Sequence, residues 1–267
     1  MPKRNFSREV LRVEENTPSV TFATNCWEKD WDILLKTNLL RNKIIRNNYQ
    51  FGEKLLIINN VRKQNAIEDF AKKAVNQGTL TNYYFVDDYI EDALNFFHLT
   101  KETLGRSYYY SNHVLVSIYL CKTDYLLYNT SDTWLEKTTP WVDPAIVELE
   151  KNLSYKVANP VWNKRFIEAK KDAFFEIENF WVGYGFSDQC FLIRTSDFKK
   201  PIYSETNPAS ARYPQYGGET FEKRVDSWMR NHKYLRLTYM HGYYRHQDFP
   251  KSKIKKKLSI AAGKYNW

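Results

Sequence analysis

At 267 residues and 31.9 kDa, with 43% hydrophobic and 27% charged residues, the chain has the composition of a folded globular protein, which excludes intrinsic disorder. A formal net charge of +9 and a pI near 9.2 favour an anionic partner: nucleotide phosphates, nucleic acid or an acidic membrane surface. Three cysteines without C-x-x-C spacing exclude a disulfide framework and a zinc site, and no apolar run reaches the ~20 residues that a membrane span needs.

The first residues, MPKRNFSREV, lack the apolar core of a signal peptide, so the expected place is the cytoplasm. Residues 1–17 are polar and read as a flexible arm. Ser19–Thr24 is a first buried strand, and residues 25–28 form the loop leaving its end. Asp30 suits the N-cap of a helix in which Trp31, Leu34, Leu35, Asn38, Leu39 and Ile45 recur near helical spacing. Lys54–Val61 is apolar until Asn59, the pattern of a strand covered on both faces. Gln64–Gln77 is amphipathic and Gly78 closes it. Tyr83–Val86 is a third strand, ending at Asp87-Asp88. Strand, helix, strand, helix, strand with short links opens a doubly wound α/β sheet, mostly parallel with helices on both faces.

Residues 94–120 read as helix, loop and helix, with Tyr108-Tyr109-Tyr110 in the loop, and Tyr125–Tyr128 as a buried strand. Asp143 and Pro144 form a helix start as N-cap and first helical residue. Lys156–Asn159 is a short strand stopped by Pro160. Residues 181–189 are loop-like, Cys190–Ile193 is a strand, 210–218 a loop, 219–229 a helix and 234–239 the last strand. Residues 251–267 form a basic tail outside the core, in which Lys251, Lys253, Lys255, Lys256 and Lys257 surround Ile254 and Leu258. Two readings of that tail stand: a solvated end, or a peripheral contact with anionic lipid on the inner face of a membrane.

The strand at 125–128 runs into Asn129-Thr130-Ser131-Asp132, placing a carboxylate at the carboxyl edge of the sheet, where open α/β folds bind ligands. SVTFATNCWEKD, KLLIINNV, YYFVDDY, DYLLYNTSDTW, VDPAIVELEKN, GFSDQCFLI and YGGETFEKRV stand in the order found in GT-A-fold glycosyltransferases of the family-2-like, bacterial or viral type, and residues 18–246 resemble that group. The resemblance implies one catalytic domain over 18–250, with a nucleotide-sugar half (18–135) and an acceptor half (136–250). It implies transfer of a hexosyl or deoxyhexosyl unit from a nucleotide-sugar donor to a glycan or lipid-linked acceptor, as in polysaccharide biosynthesis.

The same resemblance implies the site residues. Asp132 stands where the metal-binding DxD motif ends, and His246 where a late histidine lies near the diphosphate, so the two are the expected ligands of a divalent cation, Mn or Mg. Thr130 replaces the first acid of DxD, which puts metal dependence in doubt and hands part of the diphosphate to basic residues. Thr24, Asn25, Glu28, Asn59, Arg62, Asp87, Ser131 and Asp132 are the expected nucleotide contacts. Asp188, on a glycine-entered turn, is the expected base for the incoming hydroxyl, and Glu219 is the second choice. Blander roles stand beside these: Asp132 and Asp188 as acids satisfying their own turns, Glu219 as a helix-start charge, His246 as a surface histidine.

No P-loop, G-x-G-x-x-G, H-E-x-x-H or G-x-S-x-G occurs. The alternative is a nucleic-acid-binding protein using basic and aromatic surface. Dispersed basic residues weigh against it.

Overall fold

The computed structural model describes residues 18–62, 64–213 and 218–266. The predicted arm lies outside the described residues. β1 (Val20–Cys26) leads to α1 (Trp31–Lys36) and α2 (Leu39–Ile45), then β2 (Glu53–Ile58), α3 (Gln64–Asn76) and β3 (Asn82–Phe85). Three helices, α4 (Ile90–Phe96), α5 (Lys101–Leu104) and α6 (Tyr109–Leu120), return the chain to β4 (Tyr125–Asn129). β5 (Thr133–Leu135), α7 (Val142–Lys151), β6 (Tyr155–Trp162), α8 (Phe166–Lys171), β7 (Ala173–Ile177) and β8 (Phe180–Gly183) follow. The described chain closes with β9 (Cys190–Arg194), α9 (Thr195–Phe198), α10 (Phe221–Asn231), β10 (Leu235–His246) and α11 (Lys253–Ala261).

These strands form one sheet in the order β3-β2-β1-β4-β9-β6-β10-β8-β7, with β5 pairing β10. β1 pairs in parallel with β2 and β4, and β10 with β6, while β9 runs antiparallel between β4 and β6. Every residue of β1 and β4 is buried, because helices cover both faces. Alternate residues divide between two cores. Phe22, Leu56, Ile58 and Leu127 pack on one face; Ala23, Leu55, Ile57, Leu126 and Tyr128 pack on the other against Val114, Leu115 and Ile118 of α6. Each such buried aliphatic side chain contributes about 1.5–3 kcal/mol. The chain runs outward from β1 to β3 and then crosses back to β4, so the strand order reverses between β1 and β4. That switch point opens a crevice at their carboxyl ends.

Several expectations need correcting. The helix expected from residue 31 breaks into α1 and α2 around Thr37, whose hydroxyl turns back to the Ile33 carbonyl at 2.6 Å. Tyr109 and Tyr110 open α6 rather than sitting in a loop. Asp143 lies inside α7, which begins at Val142. Pro160 does not stop its strand: β9 pairs only with Val157 and Ala158, and β10 shifts register just after Tyr239, the partner of Pro160, so the missing N–H breaks no regular ladder. Residues 180–183 are the strand β8, paired with β10. The helix α10 starts at Phe221, leaving Glu219 before it. The basic segment is not outside the core either. Residues 253–261 form α11, Lys256 is buried and ion-paired to Asp32 at 2.9 Å, and Tyr265 packs against Phe249.

Gly105, at φ +81°, sits so close to Gly218 that a Cβ would lie 3.0 Å from the Gly218 Cα. Gly105→Ala is therefore expected to cost on the order of 1–3 kcal/mol in denaturant unfolding. Gly52→Ala, where a Cβ would meet only the Val20 carbonyl oxygen at 3.8 Å, serves as the control and should cost less.

Candidate functional site

Strand direction assembles the site. β4 ends, β9 begins and β10 ends at the same edge, because β9 is antiparallel to β4 while β6 and β10 are parallel to it. Asp132 follows β4, Asp188 lies two residues before β9, and His246 is the last residue of β10. The Thr130 N–H donates to the Gln189 carbonyl at 2.9 Å, and the Gln247 N–H donates to the Asp132 carbonyl at 3.1 Å. His246 Nε2 lies 3.3 Å from Asp132 Oδ2, and its Nδ1 lies 3.1 Å from the Gln189 side-chain amide.

The electrostatics follow from that crowding. Burial works against the Asp132 carboxylate, but the hydrogen bond and charge of His246, with Lys43 behind, hold it below its usual range. His246 is raised in return, chiefly by its hydrogen bond to Asp132. Asp188 is half-buried; burial pushes it up to about 6, with His246 opposing and Asp132 adding. Glu222, on the first turn of α10, is raised well above the carboxylate range by burial and by the facing Asp188. A backbone hydrogen bond from Asp188 partly offsets this shift. Asp188 and Glu222 thus form a neighbouring carboxyl pair, each raised by burial.

The turn carrying Asp132 is held from beneath by residues that arrive early in the chain. The Lys43 ammonium, 1% exposed, donates to the carbonyls of Thr130, Ser131 (3.1 Å) and Thr133 (2.7 Å). Burial pulls it down to about 7 against the attraction of Asp132. Asp30 does not cap α1 with its side chain; it accepts from the Trp27 N–H at 2.7 Å and from the Ser131 hydroxyl. Burial raises it to about 7. Asn25 Oδ1 accepts from the Ser131 N–H at 3.1 Å and from the Tyr128 hydroxyl at 3.0 Å. Tyr128 also meets His113 Nδ1 at 2.6 Å; burial lowers His113 to about 4, and since the Tyr128 proton goes to Asn25, the Nδ1–H tautomer of the neutral ring is the donor. Thr24 Oγ1 donates to the Asn129 carbonyl at 2.6 Å. Thr24, Asn25 and Ser131 therefore build the turn.

The remaining predicted nucleotide residues lie just beyond the carboxyl ends of β1, β2 and β3. Asn59 is buried at the end of β2, its Oδ1 without a hydrogen-bond partner among the described residues and its Nδ2 3.4 Å from the Tyr109 carbonyl. Glu28 accepts from the Arg62 backbone N–H at 2.9 Å, leaving the Arg62 side chain exposed. Asp87 is exposed in the short turn after β3. Trp27 (39% exposed) follows β1, and Tyr109 (39%) and Tyr110 (54%) open α6. Glu219 pairs with Lys223 and lies 4.0 Å from Arg224 Nε, away from the Asp188–Glu222 pair.

Sequence reasoning singled out neither Lys43 nor Glu222 as a site residue. Lys43 had a signal: it occupies the apolar phase of α2 with Leu39, Leu40 and Ile44, where an unpaired lysine is costly. For Glu222 the helix start alone gave no indication of Asp188.

Asp132 and His246 offer a divalent cation one carboxylate and one imidazole. No cluster of three or more His, Cys, Asp or Glu suited to a metal occurs among the described residues. The donor set fits such an ion only as a partial shell that needs further oxygen ligands from outside the protein.

No family model matches the sequence, and no curated protein does. Among solved structures, GalNAc-T7 crystallised with UDP, GalNAc and Mn2+ is similar over 93% of this chain, with TM-score 0.55 and 11% identity. This chain covers 48% of that one, about half its length. Glucosyl-3-phosphoglycerate synthase from Mycobacterium tuberculosis, in complex with Mg2+ and UDP, matches over 92% of this chain and 78% of its own, at 10% identity and TM-score 0.47. S. aureus TarS matches over 91% and 39%, at 11% identity and TM-score 0.46. The architecture is that of the GT-A-type fold, a central mostly parallel sheet flanked by helices.

Proposed function

We propose that the chain is a glycosyltransferase that moves a sugar from a nucleoside-diphosphate sugar to a hydroxyl of a glycan or lipid-linked acceptor. The observation that carries this reading is the convergence of Asp132, His246 and Asp188 at the switch point of a GT-A-like sheet. The nucleoside would enter between the ends of β1 and β2, stacking on Trp27 or Tyr109, with Asn59 Oδ1 free to accept from the base. Asp87 and the Glu28–Arg62 pair would border the ribose and phosphates.

Asp132 and His246 would hold a divalent cation, which supplies charge neutralisation at the departing diphosphate. The protein's own part is positioning and proton transfer. For transfer with inversion, the acceptor oxygen bonds to the anomeric carbon while the bond to the diphosphate breaks, and Asp188 takes the hydroxyl proton. Burial of Glu222 disfavours a second charge beside Asp188. Lys43, Asp30 and Asn25 hold the turn so that Asp132 is in place before the donor arrives. A contact with anionic lipid through α11 would use Lys251, Lys253, Lys255 and Lys257 around the exposed Ile254 and Leu258. The nucleic-acid alternative is not favoured by this arrangement.

The test is heat stability with nucleoside diphosphates. UDP, GDP, CDP or dTDP at a hundredfold excess over its dissociation constant should add about 2.7 kcal/mol by binding the native state alone. Asp132→Ala should remove much of that shift. If none of the four raises the unfolding temperature, with or without Mn2+, while single-stranded oligonucleotides do, the nucleic-acid reading takes its place.

A further inference from the structure

A second polar cluster lies near Asp188, and its central residue has no counter-ion among the described residues. Arg236 on β10 is 7% exposed, and its Nε has no hydrogen-bond partner among the described residues. Its guanidinium lies over the Trp162 ring, 5.2 Å from the centroid. No ion pair to Arg236 occurs among the described residues. The charged and titratable groups felt there are Tyr213, Tyr244, Arg212 and the exposed Asp172. A buried, unpaired guanidinium is among the costlier groups a fold retains.

Gly185 brings a second guanidinium beside it. A Cβ at Gly185 would lie 2.9 Å from both Arg236 Nη1 and Arg212 Nη2, so these nitrogens are no farther apart than twice that distance. Charge-assisted N–H···O bonds run about 2.7–2.9 Å, so one oxyanion can bridge two nitrogens at such a spacing. Arg212 already donates through Nη2 to Tyr213 Oη at 2.9 Å and to Asp226 at 3.1 Å. Asp226 is also matched by Arg230 at 2.8 Å, and the buried Glu222 carboxyl lies within the influence of Arg212, so this corner holds three arginines against two buried carboxyl groups. Gly185 lies three residues before Asp188 and has φ +119°, which only glycine adopts readily.

We propose that Arg236, with the outer edge of Arg212, binds an oxyanion group of the acceptor, a phosphate monoester or a carboxylate, and so selects an anionic acceptor. Its placement on the acceptor rests on the glycosyl-transfer reading; the binding itself does not. The planar fork of arginine suits such a group, and the Trp162 face holds the fork while the site is empty.

The test measures binding of inorganic phosphate and of acetate to the whole chain by calorimetry and thermal shift, with no donor present. The wild type should bind one of them, and which one separates phosphate from carboxylate acceptors. Arg236→Met should weaken that binding at least tenfold and raise the unfolding temperature of the free protein, since a buried unpaired charge is removed. The binding should persist in saturating UDP. Equal binding by wild type and variant means an adventitious ion only, and loss of binding in UDP means that the pair serves the donor diphosphate; either overturns the proposal. Should Arg236→Met fail to fold, Arg236→Lys keeps the charge without the fork, and unchanged binding there would overturn it as well. Failure of every nucleotide to bind, with Arg236-dependent anion binding intact, would remove the glycosyl-transfer reading and leave the anion site standing.

Discussion

Asp188→Asn is expected to lower kcat by on the order of 10²–10⁴-fold while leaving the affinity for the nucleoside diphosphate nearly unchanged. The amide fills the same space at the head of β9 and cannot take a proton. The pH profile supplies an independent readout. A base works only when deprotonated, and burial raises Asp188 to about 6, so kcat/KM should rise with pH through about 6 and be lost below it. Asp188→Asn should abolish that limb. Glu222→Gln removes the neighbouring carboxyl but leaves the proposed base in place, so the limb should persist and the loss of turnover should be small. The roles are reversed if Glu222→Gln removes the limb and Asp188→Asn keeps it. Glu219→Gln, which acts on a residue paired to Lys223 outside the cluster, should leave both limb and rate in place.

The second large effect concerns stability. Lys43→Met fills the volume of the lysine but takes the Nζ donor from the Thr130, Ser131 and Thr133 carbonyls. Each buried polar group left unsatisfied costs about 1–3 kcal/mol, and removing one member of a buried charged cluster typically costs about 3–5 kcal/mol. A loss of that order is a large part of a total stability near 5–15 kcal/mol. The urea midpoint should fall with an unchanged slope. Asp30→Asn keeps an acceptor for the Trp27 N–H and for the Ser131 hydroxyl, so its cost should be under about 1 kcal/mol, the scale of a net hydrogen bond. A Lys43→Met protein as stable as the wild type would show that those carbonyls need no ammonium.

The order of elements was legible because periodicity and length carry it. The amphipathic Gln64–Gln77 and the strand Tyr125–Tyr128 lie within a residue of their elements, while Lys54–Val61 overruns β2 by three residues at its end. Asp132, Asp188 and His246 could be singled out from their local settings, but nothing local says that they meet. Their meeting depends on the direction of β9 between β4 and β6, a non-local property. Pro160 misled because a proline breaks a strand only where its N–H is needed, and here the neighbouring ladder is irregular. The basic segment misled because charge density hides one lysine that turns inward to Asp32. Arg236 gave no signal at all: an arginine in a strand looks the same whether or not an acid lies opposite.

The fastening of the Asp132 turn by Asn25, Asp30 and Lys43 has a consequence for the order of folding. Its hydrogen bonds join residues about a hundred positions apart: 106 for Asn25 to Ser131, 101 for Asp30 to Ser131 and 88 for Lys43 to Ser131. Contacts of that span bear the loop-closure entropy of the whole intervening chain and slow folding as a class. On a ribosome, β1, β2 and β3 emerge with the carboxylate of Asp30 and the ammonium of Lys43 still lacking the turn they serve. Until β4 slides in beside β1, both charges must stay hydrated, and the nascent sheet carries an open edge along β1. The assembly of the edge that carries Asp132 and the closing of that sheet are therefore one event.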